Sequence, residues 1–429
     1  MIKKTRAGYF LTLIIILMVK ILYAQTVVDS TLAGRIISKI KITGNNRTKK
    51  SVILREMKLK EGSLLDPEQL EKDRKRIESL MVFNRVVIKG EPDSTSVLLE
   101  INVTEQLYFI PFPVLFINDR DWSKVSYGAG FIHTNFSGMT DKLGIIFWAG
   151  YDPSIHFVYY NPWMGKKYNL LAKIEFFYAK IRNKHYTENK VYEFQKGFEW
   201  SLGKRWGHHL YGEISVGYKS LKMDTPDGNG ENDRLPGLGF SVMYDKRDLV
   251  EFPLSGYLLR MIVRTAGLPG AETFYQQVGS EVRAYIPVTE KSSFAFRFKS
   301  AASVNNLPFY DRYYLGYSER IRGHYNEIYE GDSFLIGGIG FRFPILGIRY
   351  FSISNIPQLR NLKLGLYGSL FIDSGAVWFK RAGLKRKDII SGAGIGLDFI
   401  LPYIHVIRLD FAVDEEGKSQ FIVGFGVDI

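Results

Sequence analysis

The sequence predicts a mainly β protein, a transmembrane antiparallel β-barrel of about sixteen strands preceded by one small α/β domain. Three observations carry the prediction. The chain opens on an export signal, the region from residue 106 onward alternates apolar and polar residues, and no segment after residue 24 approaches the ~18 unbroken apolar residues of a spanning helix. With Phe at 30, Tyr at 26, Gly at 41 and charged residues still at 24%, the composition is that of a chain of many strands.

The N-terminus, MIKKTRAGYFLTLIIILMVKILYAQ, places Lys3, Lys4 and Arg6 before an apolar run that ends at the small residue Ala24. That is a secretory signal over residues 1–24. A membrane anchor is the alternative, but Lys20 interrupts the run and leaves it short of a span. Cysteine is absent, so an exported chain must draw its stability from strand pairing and burial rather than disulfides. Formal net charge is +13, of which Lys3, Lys4, Arg6 and Lys20 account for four, leaving +9 on the mature chain. An exported basic surface meets anionic lipid headgroups of the outer membrane, and nucleic acid is not an expected partner.

Residues 34–105 read as the small α/β domain. RIISKIKITG alternates as a strand and ends at Gly44; KKSVILREMKLKEG is a helical stretch closed by Gly62. Asp66 before Pro67 is an N-cap with proline at the first helical position, and the following helix places Leu70, Ile77 and Leu80 on one face. RVVIKG and SVLLEINVTE complete an order of strand, helix, helix, strand, strand.

Residues 106–429 read as the barrel. In SSFAFRFKS the rings of Phe294, Phe296 and Phe298 share one face, and Ala295, Arg297 and Lys299 the other. Ile407, Leu409, Phe411 and Val413 likewise oppose Arg408, Asp410, Ala412 and Asp414, and the last strand repeats the alternation with Gly424 and Gly426 on its inner face. A soluble sandwich alternates in the same way. Export, aromatic apolar faces and full charges on the opposite faces favour a membrane barrel with a wet lumen. About 320 residues at ~20 per strand and connection give the sixteen strands, with the first expected within VSYGAGFIHTNF, residues 125–136.

Sites of chemistry are few. Gly331-Asp332-Ser333 has the look of a hydrolase nucleophile block, yet none of the seven histidines has an Asp three residues before it, and no G-x-S-x-G is present. Ser333 is read as a turn leading into a strand, and no enzyme activity is expected. His208 and His209 are adjacent, which on a strand sends them to opposite faces; the acidic stretch DTPDGNGENDR, residues 224–234, lacks the calcium-loop spacing. Neither a metal nor another cofactor is implied.

Two sets of residues carry a family resemblance. Ile37 to Thr48 with Arg55, Gly62, Leu70, Asp73, Leu80, Phe83, Val86 and Glu105 resembles a POTRA domain, the periplasmic module of outer-membrane assembly and secretion proteins; a generic α/β domain is the alternative. FYDRYYLGYSERIRGH, residues 309–324, resembles the sixth extracellular loop of the BamA/TamA family. There the pattern is Leu-Gly-Gly followed by Val-Arg-Gly and an aromatic. This chain has Tyr317 in place of the second glycine and His324 in place of the aromatic. Tyr244 to Gly256, with Asp245, Arg247 and Asp248, is similar to the family's D-x-R-D strand; Phe371 to Trp378, with Asp373 and Gly375, to its F-x-D-x-G strand; residues 392–412 to its penultimate strands.

The resemblance implies a lumen latch in which Arg322, turned on Gly323, meets Asp373 on the inner wall. It also implies a function: helping other polypeptides enter or cross the bacterial outer membrane. Expected partners are unfolded or partly folded outer-membrane or secreted chains, outer-membrane lipids and accessory proteins, with the POTRA domain in the periplasm. A dedicated pore for one secreted partner, or a lipid-handling or structural barrel, remain the alternatives.

Overall fold

The computed structural model describes residues 30–117, 122–165, 168–183, 191–223, 232–269, 273–325, 327–403 and 405–426. The export signal expected over residues 1–24, and residues 224–231 of the acidic stretch, lie outside these.

The α/β domain follows the expected order. Strand β1 (Ile36–Thr43) is followed by helices Lys50–Glu56 and Pro67–Glu78, then by β2 (Phe83–Asp93) and β3 (Ser96–Glu105), which form a sheet in the order β1-β3-β2. Asp66 caps the second helix by accepting from the backbone N–H groups of Glu68 and Gln69. Leu70 and Ile77 are fully buried, whereas Leu80 lies beyond the helix end and packs on the core from the connection. The first helix is shorter than its pattern. Its chain straightens at Met57 because the backbone N–H groups of Lys58 and Leu59 donate to Asp73, a carboxylate buried on the second helix. Asp73 thereby joins the two helices, which no helical propensity would reveal. Glu105 accepts from the backbone of Arg47 and Thr48 and closes the turn after β1.

Sixteen antiparallel strands form the second sheet, in the order of the chain from β4 (Phe109–Ile117) to β21 (Ser419–Phe425). The first is therefore FIPFPVLFI, one strand earlier than expected; Val125–His133 is the second, β5. Prolines at 111 and 113 and apolar residues on both faces hide the alternation that marks the other strands. Elsewhere the two faces are as read from the pattern. Phe294, Phe298, Phe411 and Phe421 are exposed outward, while Arg408 and Asp410 are buried inward and Arg297 is half-buried there. Gly426 follows β21 with φ 84° and is outside the strand, so only Gly424 holds the inner position expected of the pair.

The α/β domain lies across one mouth of the barrel. Arg47 donates to the carbonyls of Asn135 (3.2 Å) and Phe136 (2.6 Å), Glu56 pairs with Arg205 (3.4 Å), Lys75 with Asp248 (3.1 Å), and Asn84 donates to the carbonyls of Gln358 and Arg360. These partners sit at four different places on the same rim, Arg205 near a strand end and the others in strand connections. Both Glu56 and Arg205 are buried, so the contact is desolvated rather than a loose surface encounter.

Candidate functional site

The long connection between β14 (Ser292–Ser303) and β17 (Ser333–Phe351) leaves the opposite rim and folds into the lumen. Within it β15 (Tyr313–Leu315) and β16 (Tyr329–Gly331) pair as a short hairpin, and Gly316 takes φ 114° where the chain turns. Leu315 and Ile321 bury against Phe334 and Ile336 of β17, Val377 of β18 (Leu362–Trp378) and Ile390 of β19 (Ile389–Leu401).

Polar contacts then fix the loop around the wall. Arg322 Nε donates to Asp373 Oδ2 (2.5 Å) and Nη2 to Oδ1 (2.8 Å), a two-pronged match of guanidinium to carboxylate. The guanidinium also lies 3.5 Å from the centre of the Phe371 ring. Both side chains are 9% exposed. Gly323, with φ 105°, rests on the backbone of Gly392 and of Asp414 on β20 (His405–Asp414); a Cβ on Gly392 would stand 1.8 Å from the Arg322 carbonyl oxygen. Gly375 lies beneath the loop, where a Cβ would meet Ile321 at 2.9 Å. Farther round, Glu319 pairs with Arg297 (2.8 Å) and Lys299 of β14, and Asp311 with Lys219 (2.7 Å) and Tyr275.

His324, which replaces the expected aromatic, makes a contact of its own. Its Nδ1 is 2.9 Å from Glu327 and its Nε2 2.8 Å from Glu415 in the turn between β20 and β21. Burial opposes charge on the imidazole, but the hydrogen bonds to Glu327 and Glu415 outweigh it and hold His324 above its ordinary value. Tyr329 also donates to Glu327, and these bonds keep that carboxyl below its usual range. Ligand atoms of His324, Glu327 and Asp414 lie within 4.8 Å of one another, the one group among the described residues spaced to hold a cation. Sequence reasoning passed over this cluster because its members come from two distant segments.

Arg322, Gly323, Asp373 and Gly375 thus meet at one place. Asp245, Arg247 and Asp248 stand apart from them at the rim covered by the α/β domain. Arg247 donates to Asp245 (2.9 and 2.7 Å), and Asp248 closes its own turn by accepting from the N–H groups of Leu254 and Ser255. Ser333 opens β17, and its hydroxyl donates to the neighbouring Asp332. His208 and His209 are in a turn, not a strand, with rings near the carbonyls of Arg55 and Asp245.

Comparison with known proteins agrees with this architecture. The family model described as the Omp85 superfamily domain matches residues 135–429, and that described as the surface antigen variable number repeat, a POTRA module, matches 36–106. An outer membrane protein assembly factor BamA of Neorickettsia risticii is 24% identical over 427 residues, covering 91% of this chain and 54% of that protein. The chain therefore spans about half the length of this curated relative. Among solved structures, BamA of Haemophilus ducreyi lacking POTRA domains 1–3 superposes with a TM-score of 0.54 at 18% identity, over 91% of this chain and 83% of that one. CdiB of Escherichia coli superposes at 0.55 and 11%, over 91% and 75%. The chain belongs to the Omp85 superfamily, as an outer-membrane β-barrel with a POTRA domain on the periplasmic side.

Proposed function

We propose that this barrel assists the insertion of polypeptides into the outer membrane or their passage across it, with the POTRA domain, residues 34–105, receiving the client and the barrel, residues 106–429, delivering it. The observation that carries the reading is the lumen loop. A barrel that served only as an open pore or a passive wall has no use for a segment held inside it by a desolvated Arg322–Asp373 pair, a glycine contact at Gly392 and charged contacts to Glu319 and Asp311. In this reading the pair is a latch that keeps the loop fixed against the wall formed by β18 to β20, next to the last strand. The POTRA domain is set to hand over a client because it touches the periplasmic rim directly, through Glu56, Lys75 and Asn84. No nucleotide or metal drives the work, which draws on client folding and on burial of apolar side chains in the bilayer.

The test is crosslinking in cells from the POTRA edge strand β2, followed by identification of the trapped chains. Several outer-membrane barrel proteins are expected. A single secreted polypeptide indicates a dedicated pore, and an absence of trapped polypeptides indicates a lipid-handling or structural barrel.

A further inference from the structure

On the outer wall of the barrel, charge is gathered on one arc. Four neighbouring strands, β8 (Leu170–Arg182), β9 (Tyr192–Trp206), β10 (Leu210–Met223) and β11 (Asn232–Asp245), pair in unbroken register. Their even-numbered residues face outward, and Phe176, Phe198, Trp200, Ile214 and Leu238 are all exposed on that side. The same face carries Lys180, Arg182, Lys196, Lys222 and Arg234 toward the rim opposite the POTRA domain. The carboxylates of these strands turn the other way. Glu199 meets Arg264 in the lumen, and Asp233 accepts from Tyr310 of the inner loop. Among the described residues, no strand outside this arc has an outward-facing charge in the half nearer that rim.

We propose that this arc binds an acidic lipid of the outer leaflet whose headgroup carries at least two phosphate groups. The register sets the cations out as a patch. Lys180 and Lys222 flank Phe194 in one row, and Lys196 and Arg234 flank Ser220 in the next. The backbones of each pair are about 10 Å apart, at ~4.8 Å per strand, and the rows are ~7 Å apart along the chain. Aromatic rings steady the upper edge: Lys180 Nζ lies 4.2 Å from the centre of the Tyr192 ring, and the Arg182 guanidinium 4.4 Å from that of Tyr151. Below the patch the face turns apolar at once, with Phe176, Phe198 and Tyr218 in the next row and Trp200, Val216 and Leu238 beneath them. Cations above a lipid-facing apolar wall fit the headgroup and the acyl chains of one molecule. Five cations on one face exceed the charge of a headgroup with a single phosphate, and this sets the class of lipid.

The inference rests on the barrel's place in the outer membrane and not on client handling, which the crosslinking above judges separately, so either can fail alone. The probe is diphosphoryl lipid A, offered in mixed detergent micelles to the intact solubilised protein together with an equal amount of phosphatidylglycerol, and the lipid retained is counted by native mass spectrometry. Lipid A is expected to be retained at least about tenfold more than phosphatidylglycerol, and less of it as salt is raised. Lys196→Gln with Arg234→Gln is expected to lower retention about twentyfold, at about fivefold per cation beside an anionic headgroup, while Lys196→Arg with Arg234→Lys keeps it. Lys385, Arg386 and Lys387, exposed in the connection between β18 and β19 on the same rim, serve as the control, and changing all three to Gln is expected to leave retention unchanged. Faster migration of the unheated protein on a gel checks that each variant is a closed barrel. Equal retention of phosphatidylglycerol, no loss in the double Gln variant, as great a loss in the control, or displacement of lipid A by inorganic phosphate each overturns the inference.

Discussion

Replacing Arg322 by alanine removes both prongs of a pair whose side chains are 9% exposed, together with a cation–π contact at 3.5 Å. Breaking a buried pair by deleting one partner costs ~3–5 kcal/mol, because the other charge is left uncompensated. Arg322→Ala is placed at ~4 kcal/mol of loop docking, and Asp373→Ala at ~3 kcal/mol because the Phe371 contact survives it in part. If the two side chains act only through each other and Phe371, the double variant stays near ~4 kcal/mol, a coupling of ~3 kcal/mol at the top of the range seen for residues in contact. The assay is hydrogen exchange at the His324 amide, which donates to the Ile321 carbonyl at the loop tip. Exchange is expected to speed up by roughly a thousandfold in Arg322→Ala, at about tenfold per 1.4 kcal/mol, and by little more in the double variant. Additive effects, near ~7 kcal/mol in the double variant, would refute the idea that one shared contact holds the tip.

Other perturbations probe separate parts of the molecule. Gly392→Ala places a methyl 1.8 Å from the Arg322 carbonyl and is expected to release the loop in the same exchange assay as fully as Arg322→Ala, with the barrel still assembled. The His324 bridge contributes fully below pH ~6.5 and is lost as pH rises through the raised imidazole value. Glu327 and Glu415 are 39% and 44% exposed at the side chain, so the contribution is ~1 kcal/mol, and exchange at the tip is expected to rise about fivefold across that window but not in His324→Asn. Glu56→Ala leaves Arg205 buried without its carboxylate and is expected to loosen the POTRA domain from the periplasmic rim, read as increased cleavage by added protease between residues 105 and 109. The intact protein is expected to migrate faster on a gel when unheated, as a strand barrel that resists detergent does; recovery from the soluble periplasm contradicts the membrane reading.

Much of this was legible because a barrel writes its faces into the sequence at period two. SSFAFRFKS and IRLDFAVD name their lipid and lumen sides without help, and Arg322, Gly323, Asp373 and Gly375 come together where their motifs imply. What was not legible depends on contacts between distant segments. The first strand, FIPFPVLFI, carries two prolines and forms one end of the sixteen-stranded sheet among the described residues, and the prolines break the pattern by which strands are recognised. The first helix ends early because Asp73 on another helix draws in its backbone. Likewise Gly392 looked like one glycine of a GAGIG strand, and only the loop resting on it gives it a role.

Whether this Omp85 superfamily member handles many client polypeptides at the outer membrane, as proposed, is decided by depleting it in its own cells and measuring every outer-membrane protein by quantitative mass spectrometry. A broad fall in barrel proteins is expected, with precursors accumulating in the periplasm and becoming crosslinkable to the POTRA edge. Unchanged barrel proteins with the loss of a single secreted polypeptide, or with a change confined to lipids, would contradict it.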